Sequence, residues 1–455
     1  MSINPENSSF RDRDAVIYND NGKILRKIFN SYKENYDKLM TSGLYEKLIS
    51  QNLLINHTEY DKPEETNVYK IIEPKKVFIT YPYEWSFNQY KDAALATLKI
   101  QQIALEFNMS LKDASAFNIQ FFEGKPLLID TTSFEKFEEK PWVAYKQFCK
   151  HFLAPLLIMK YIDPRCAKFF LTDIDGLDLE IVSKILPKHT KFNPGILTHI
   201  HLHSKFLKQY SSTKKKSINQ KMTKFQHLAI LDGLMGLIKG LEVKTNESEW
   251  KNYYNNTNYT ESSFEEKKKL IEQYKKLIDS KIIWDFGANT GHFSRIFKDT
   301  AKEIICFDID YNAVDENYKT VKTQNETNIL PLVFDLVNPS PNIGWANEER
   351  KTILERANNV DIALALALIH HLAISNNLPF NKIAQYFSQI SRYLIIEFVK
   401  KEDSKVQELL NNRKDIFNDY DVEHFENSFS KYYALVRKDK IKDTQRILYL
   451  FKVKE

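Results

Sequence analysis

The stretch IIWDFGANTGHFSRIFKDTAKEIICFDID, Ile282 to Asp310, decides the fold of the C-terminal half of the chain. An apolar run reaches Trp284, Asp285 and a turn carrying Gly287 and Gly291 follow, and a second apolar run ends in Asp308 and Asp310. A strand that delivers a glycine turn to the edge of a sheet lets backbone amides approach a ligand closely, and a helix starting there adds its N-terminal dipole. The spacing D-x-G-x-x-x-G is not the G-x-G-x-x-G fingerprint of dinucleotide sites. A Rossmann-like sheet holding some other nucleotide is the alternative it leaves open.

Outward from this stretch the pattern repeats. Strands are predicted over 282–286, 304–308, 330–334, 361–368 and 393–398, with helical spacing between most of them. Near-continuous apolar strands alternating with helices predict an α/β, Rossmann-like doubly wound parallel sheet. The closing RILYLFKVK reads as a further, antiparallel edge strand. Asp308 ends the second strand 21 residues after Gly287, where a carboxylate can take ribose hydroxyls, and Asp335 ends the third.

These residues, Asp285, Gly287, Gly291, Asp308 and Asp335, resemble the class I S-adenosylmethionine-dependent methyltransferases. The resemblance covers about residue 250 to the C-terminus. It implies S-adenosylmethionine as cofactor, with Gly287 and Gly291 facing its methionine part, Asp308 its ribose and Asp335 its adenine. Ala288 and Asn289 stand in the turn where Cys-Gly is more usual, and Asn tolerates unusual backbone angles. The Asn-Pro-Pro-Tyr that follows the fourth strand of base-amino methylases is missing, and so is a Pro-Cys pair, so the expected methyl acceptor is an oxygen or nitrogen elsewhere.

The acceptor must enter above the C-terminal strand ends. There DIALALALIHHL delivers His370 and His371, whose imidazoles are candidate bases; at a strand end they would point to opposite sides. Glu397, amid apolar neighbours in LIIEFV, is the third catalytic candidate, since a buried carboxylate is costly without a polar task. Trp345, Glu349 and Arg350 could wall the acceptor pocket, and Trp250, Tyr253, Tyr254 and Tyr259 could close over the cofactor.

The N-terminal half mixes strand and helix signals, with a strand expected over 70–80, a helix over 88–107 and a hairpin over 118–130 turning at Glu123-Gly124. Within LKDASAFNIQFFEGKPLLIDTTSFE, Asp113 precedes Asn118 by five residues and Asp130 closes the hairpin. This resembles the catalytic and metal loops of protein-kinase-like phosphotransferases. No glycine-rich phosphate loop is found, and Thr131-Thr132 replace Phe-Gly, so the resemblance implies a kinase-like α+β domain that is catalytically silent. HIHLHS places His199, His201 and His203 on one face if it is a strand, but no Cys or carboxylate pattern accompanies it and no metal is expected.

The whole chain is 455 residues with a net charge of +5, 43% hydrophobic, so two or three packed domains are expected and nucleic acid is neither implied nor excluded. The division is a kinase-like domain over 1–210, a linker with connecting helices over 211–249 and a methyltransferase domain over 250–455. The three cysteines show no paired spacing, the N-terminus is polar, and no apolar run reaches the roughly 20 residues of a membrane helix. A cytoplasmic protein follows as the expectation. The pairing of modules resembles chains of bacterial nodulation and cell-surface glycan gene sets, which implies a saccharide or small-molecule acceptor. Alternatives are an RNA or protein methyltransferase docking through its N-terminal domain, a bifunctional kinase and methyltransferase, and a non-catalytic scaffold.

Overall fold

The computed structural model describes residues 5–20, 22–60, 65–212, 221–243, 260–411 and 413–454. Its elements sort into two units, the first formed by Met1–Lys244 with Asn342–Arg350 and the second by Thr245–Pro341 with Lys351–Glu455.

In the first unit, strands β1 (Ala15–Asp20), β2 (Lys23–Phe29), β3 (His57–Tyr60) and β4 (Val68–Pro74) form an antiparallel sheet in the order β1-β2-β4-β3. The strand expected to reach Thr80 stops at Pro74, and the Thr80 amide is taken by the Gln120 side chain at 2.6 Å. The helix Phe87–Glu106 starts at Ser86, which exchanges side-chain bonds with Gln89 in a capping box. Beyond it β5 (Met109–Leu111) pairs with β8 (Phe134–Lys136), and β6 (Ile119–Phe122) with β7 (Lys125–Leu128). These two short pairings hold the loop of Asp113, Asn118 and Asp130.

HIHLHS is helical and not a strand, lying within Leu197–Leu202 and the helix that follows. Residues two apart on a helix point about 200° apart, so His201 diverges from His199 and His203, which are four apart and share a face. His199 meets the Tyr145 hydroxyl at 2.7 Å, His201 meets Ser183 and Thr190, and His203 stacks on the Tyr145 ring.

In the second unit, strands β9 (Ile282–Phe286), β10 (Glu303–Asp308), β11 (Ile329–Val333), β12 (Val360–Ala365), β13 (Ser391–Val399), β14 (Tyr433–Lys440) and β15 (Arg446–Val453) form one sheet. The order is β11-β10-β9-β12-β13-β15-β14. The first five run parallel, and β15 is antiparallel to both β13 and β14. The apolar β15 is therefore interior, and the edge is the charged β14, whose lysines blunt it against pairing with other chains. Every residue of β12 is buried, as expected for a strand covered on both faces. The strand order reverses direction between β9 and β12, which opens the crevice where ligands enter such sheets.

The core of this sheet gives a direct stability test. Ile362 is fully buried in β12, so Ile362→Ala should cost about 2–5 kcal/mol in urea unfolding. Leu277→Ala, at an exposed position, should change stability by less than about 0.5 kcal/mol.

Candidate functional site

At the C-terminal end of β9 the chain turns through Gly287 (φ +74°), Asn289 (φ +51°) and Gly291 (φ +77°). The Gly287 and Ala288 amides both donate to the Phe307 carbonyl of β10, at 2.9 and 3.0 Å. The next amide, of Asn289, donates to Asp308 Oδ2 at 2.7 Å, while the Asp310 amide donates to Oδ1 at 2.9 Å. The turn and the acid predicted to serve one ligand are thus hydrogen-bonded to each other. A Cβ at Gly291 would lie 2.6 Å from Arg295 Nη1 and Asn317 Nδ2, so a side chain there is excluded by space as well as by φ.

Arg295 was not singled out by sequence. Its Nη1 donates to the Thr290 and Gly291 carbonyls, and its Nε and Nη2 donate to the buried Glu326. This guanidinium braces the turn from beneath.

Asp285 lies below the turn, 2% exposed, accepting a bond from Ser294 Oγ at 2.6 Å. Burial pushes its carboxyl up to about 7, against the Ser294 hydroxyl and the charge of Lys267. Asp308 is half-buried. Burial raises it to about 6, although the Asp310 and Asn289 amides favour its charged form. Asp335 follows β11 and accepts the Val337 and Asn338 amides at 3.1 Å. The Phe334 amide donates to the Asp308 carbonyl at 2.8 Å, which sets the ends of β10 and β11 side by side.

The fourth strand ends at Ala365, earlier than expected, and Ala367 takes φ +50°. His370 and His371 consequently sit in a helical turn and not at a strand end, with ring centroids 4.2 Å apart. They lie side by side instead of pointing to opposite faces. His370 is buried with no hydrogen-bond partner on Nδ1, and burial holds its pKa well below the ordinary range. His371 keeps partial exposure, and burial followed by the charge of Arg446 lowers it to about 4.

Glu397 has no exposed surface. Oε2 receives Lys267 Nζ at 2.5 Å and the Ala367 amide at 3.0 Å, and Oε1 receives Arg446 Nη1 at 3.1 Å. Such a carboxylate presents no face to a substrate. The signal for Lys267 was present in the sequence: it shares the buried face of the helix Glu261–Lys275 with Ser263, Leu270, Ile271 and Tyr274.

Residues 342–350 belong to the first unit. Glu349 is held there by Arg11, Arg350 lies 4.2 Å over the Phe117 ring, and Trp345 is exposed. Trp250, Tyr253, Tyr254 and Tyr259 lie outside the described residues.

The first unit does bring its predicted residues together. Asp113 accepts the Ser115 amide and meets the Asn118 and Gln147 side chains, and burial and then the charge of Asp130 raise its pKa. Asp130 pairs with Arg26 and also accepts the Thr132 amide and the Thr132 and Ser133 hydroxyls. Burial pushes Asp130 up, but Arg26 and the hydroxyls outweigh it and hold the acid below the ordinary range.

An α/β sheet with an acid-lined crevice at its switch point defines the class of the second unit. Across 459 aligned residues, 98% of this chain and 96% of the relative, the protein is 31% identical to nodulation protein NoeA of Rhizobium meliloti (strain 1021). The chain belongs to the NoeA family. No protein-family model matches it. Among solved structures it is similar to the N-methyltransferase NodS from Bradyrhizobium japonicum WM9 in complex with S-adenosyl-l-homocysteine, at 10% identity, 46% of this chain, 94% of that one and a TM-score of 0.34. It is also similar to magnesium protoporphyrin IX methyltransferase from Synechocystis PCC 6803, at 10% identity, 45% of this chain, 93% of that one and a TM-score of 0.31. No helix among the described residues is long and apolar enough to cross a membrane.

The raised pKa of Asp285 has a stability consequence. The folded chain holds a proton on this acid up to about pH 7, whereas an unfolded Asp releases it near pH 4. The contribution is fully present below about pH 4 and is lost as pH rises through 7. Asp285→Asn keeps an acceptor for Ser294 and removes the titration. Its stability relative to wild type should therefore improve with rising pH in denaturation curves between pH 4 and 7.5; parallel curves would contradict the assignment.

Proposed function

We propose that the second unit binds S-adenosylmethionine in the crevice above β9, β10 and β12 and directs its methyl group to an oxygen or nitrogen of an acceptor, with a saccharide or small molecule as the favoured class. The Asn289 amide on the Asp308 carboxylate carries this reading. That bond fixes an acid beside a turn bounded by two glycines, Gly287 and Gly291. A carboxylate has about four lone-pair sites; the Asn289 and Asp310 amides take one on each oxygen and the Ile309 amide also favours the charged form, which leaves acceptor capacity for a ribose hydroxyl. The residue set fits an adenosyl group: Gly287, Ala288, Asn289 and Gly291 adjoin the methionine part, Asp285 supports the turn from below, and Asp335 stands toward the adenine.

When bound, S-adenosylmethionine supplies an electrophilic methyl group. The chain binds and orients it, and neutral His371, the more exposed of the histidine pair, accepts the acceptor's proton. His370 supports His371 from the interior. The resemblance to chains of nodulation and glycan gene sets supports the saccharide class.

For the first unit we propose a kinase-like lobe that transfers no phosphate. A metal-binding carboxylate must offer free oxygens, whereas Asp130 is neutralised by Arg26. No metal-dependent phosphorylated product should form from ATP. A product that vanishes in Asp113→Ala would make the protein bifunctional.

Calorimetry with S-adenosylmethionine should show saturable binding that Asp308→Ala weakens by about 1–3 kcal/mol, the scale of lost charge-assisted bonds. Because the ionised acid is the acceptor and its pKa is about 6, affinity should fall as pH drops below that value. Equal affinity in wild type and mutant would refute the site. His371→Asn should lower turnover of labelled methyl into lysate fractions while leaving cofactor affinity close to wild type.

A further inference from the structure

Four charged side chains lie almost wholly out of water in the second unit. Lys267 and Arg446 both ion-pair with Glu397, and Arg446 Nε continues to Asp403 Oδ2 at 2.8 Å. Their side chains are between 0% and 3% exposed. Removing such ions from water costs several kcal/mol each, and apolar residues of similar volume stabilise a core as well or better. Stability alone does not account for the group.

Its contacts show what it holds. Glu397 Oε2 binds the amide of Ala367, a non-glycine residue in the left-handed region at φ +50°. Such a conformation is strained and persists only where neighbours impose it. The next residue, Leu368, approaches the turn: its Cδ1 lies 3.5 Å from where a Cβ on Gly287 would be. The His371 amide then bonds back to the Leu368 carbonyl at 3.0 Å. On the other side, Lys267 Nζ lies 4.3 Å over the ring of Phe293, two residues after Gly291. Lys267 and Glu397 thus stand between the glycine turn and the exit of β12.

We propose that Lys267 and Glu397, with Arg446 and Asp403 balancing their charge, form a positioning clamp that fixes the β12 exit through the Ala367 amide, and so sets Leu368 against the glycine turn and fixes the helical turn that carries His371. The inference rests on reading this crevice as the methyl-transfer site, and it assigns these residues to positioning, not to proton transfer. The charge of Lys267 is needed to keep Glu397 ionised in a dry setting, and the Glu397 oxygen is needed to hold Ala367.

Two charge-balanced double variants of the full chain separate these roles. Lys267→Met with Glu397→Leu removes the acceptor for the Ala367 amide, whereas Lys267→Met with Glu397→Gln retains an oxygen there. His371 is followed by NMR of histidine-labelled protein, since burial and then the charge of Arg446 hold its pKa down at about 4 beside His370. In the Leu variant the freed exit should let His371 rise toward the ordinary value of about 6.5, and turnover should fall at least about tenfold (1.4 kcal/mol). The Gln variant should restore both. Affinity for S-adenosylmethionine should stay within about threefold in each. Identical His371 titrations in the two variants would overturn the clamp while leaving the cofactor site standing; absent cofactor binding in wild type would overturn the methyl-transfer reading and leave the titration result to judge the clamp. Should neither variant fold, hydrogen exchange on wild type decides: the Ala367 amide must be protected like the amides of β12, and exchange at the rate of an open loop overturns the proposal.

Discussion

One carboxylate organises the crevice of the second unit. Asp308 accepts the Asn289 amide from the turn after β9 and the Asp310 amide from its own loop, so two neighbouring strand ends are tied through a single side chain. The turn can reach it only because three of its residues take positive φ, which glycine and asparagine tolerate. Arg295 then closes the underside by capturing the carbonyls this conformation turns inward. Glycine, asparagine, acid and arginine are parts of one arrangement.

Buried charge is treated in opposite ways in the two units. In the first, Asp130 is matched by Arg26 and two hydroxyls, which leaves a stable anion whose oxygens are taken. In the second, Asp285 has one hydroxyl and a more distant lysine, and its carboxyl is pushed up to about 7. Residue type alone, Asp at a strand end, is the same in both. The difference lies in whether a guanidinium from another strand arrives.

Among the catalytic candidates, Glu397 needs partners on sequence grounds, because an acid within LIIEFV must be satisfied. Its partners come from the helix Glu261–Lys275, from β15 and from the backbone beyond β12, elements far apart in sequence. Lys267 stands in the run EEKKKL beside Lys268 and Lys269, and only helical phase distinguishes the buried lysine from its solvated neighbours.

What the sequence by itself determined is local in origin: the alternation of apolar strands with helices, the glycine turn after β9, the acids at the ends of β10 and β11, and the hairpin of β6 and β7. These follow from periodicities and backbone preferences acting over a few residues. Tertiary structure alone decided that β15 lies inside the sheet with β14 as its edge, that HIHLHS is helical, that the two histidines leave the strand into a helical turn, and that Glu349 and Arg350 serve the first unit. Each depends on which distant group supplies a hydrogen bond, a counter-charge or a covering face. No window of neighbouring residues carries that information.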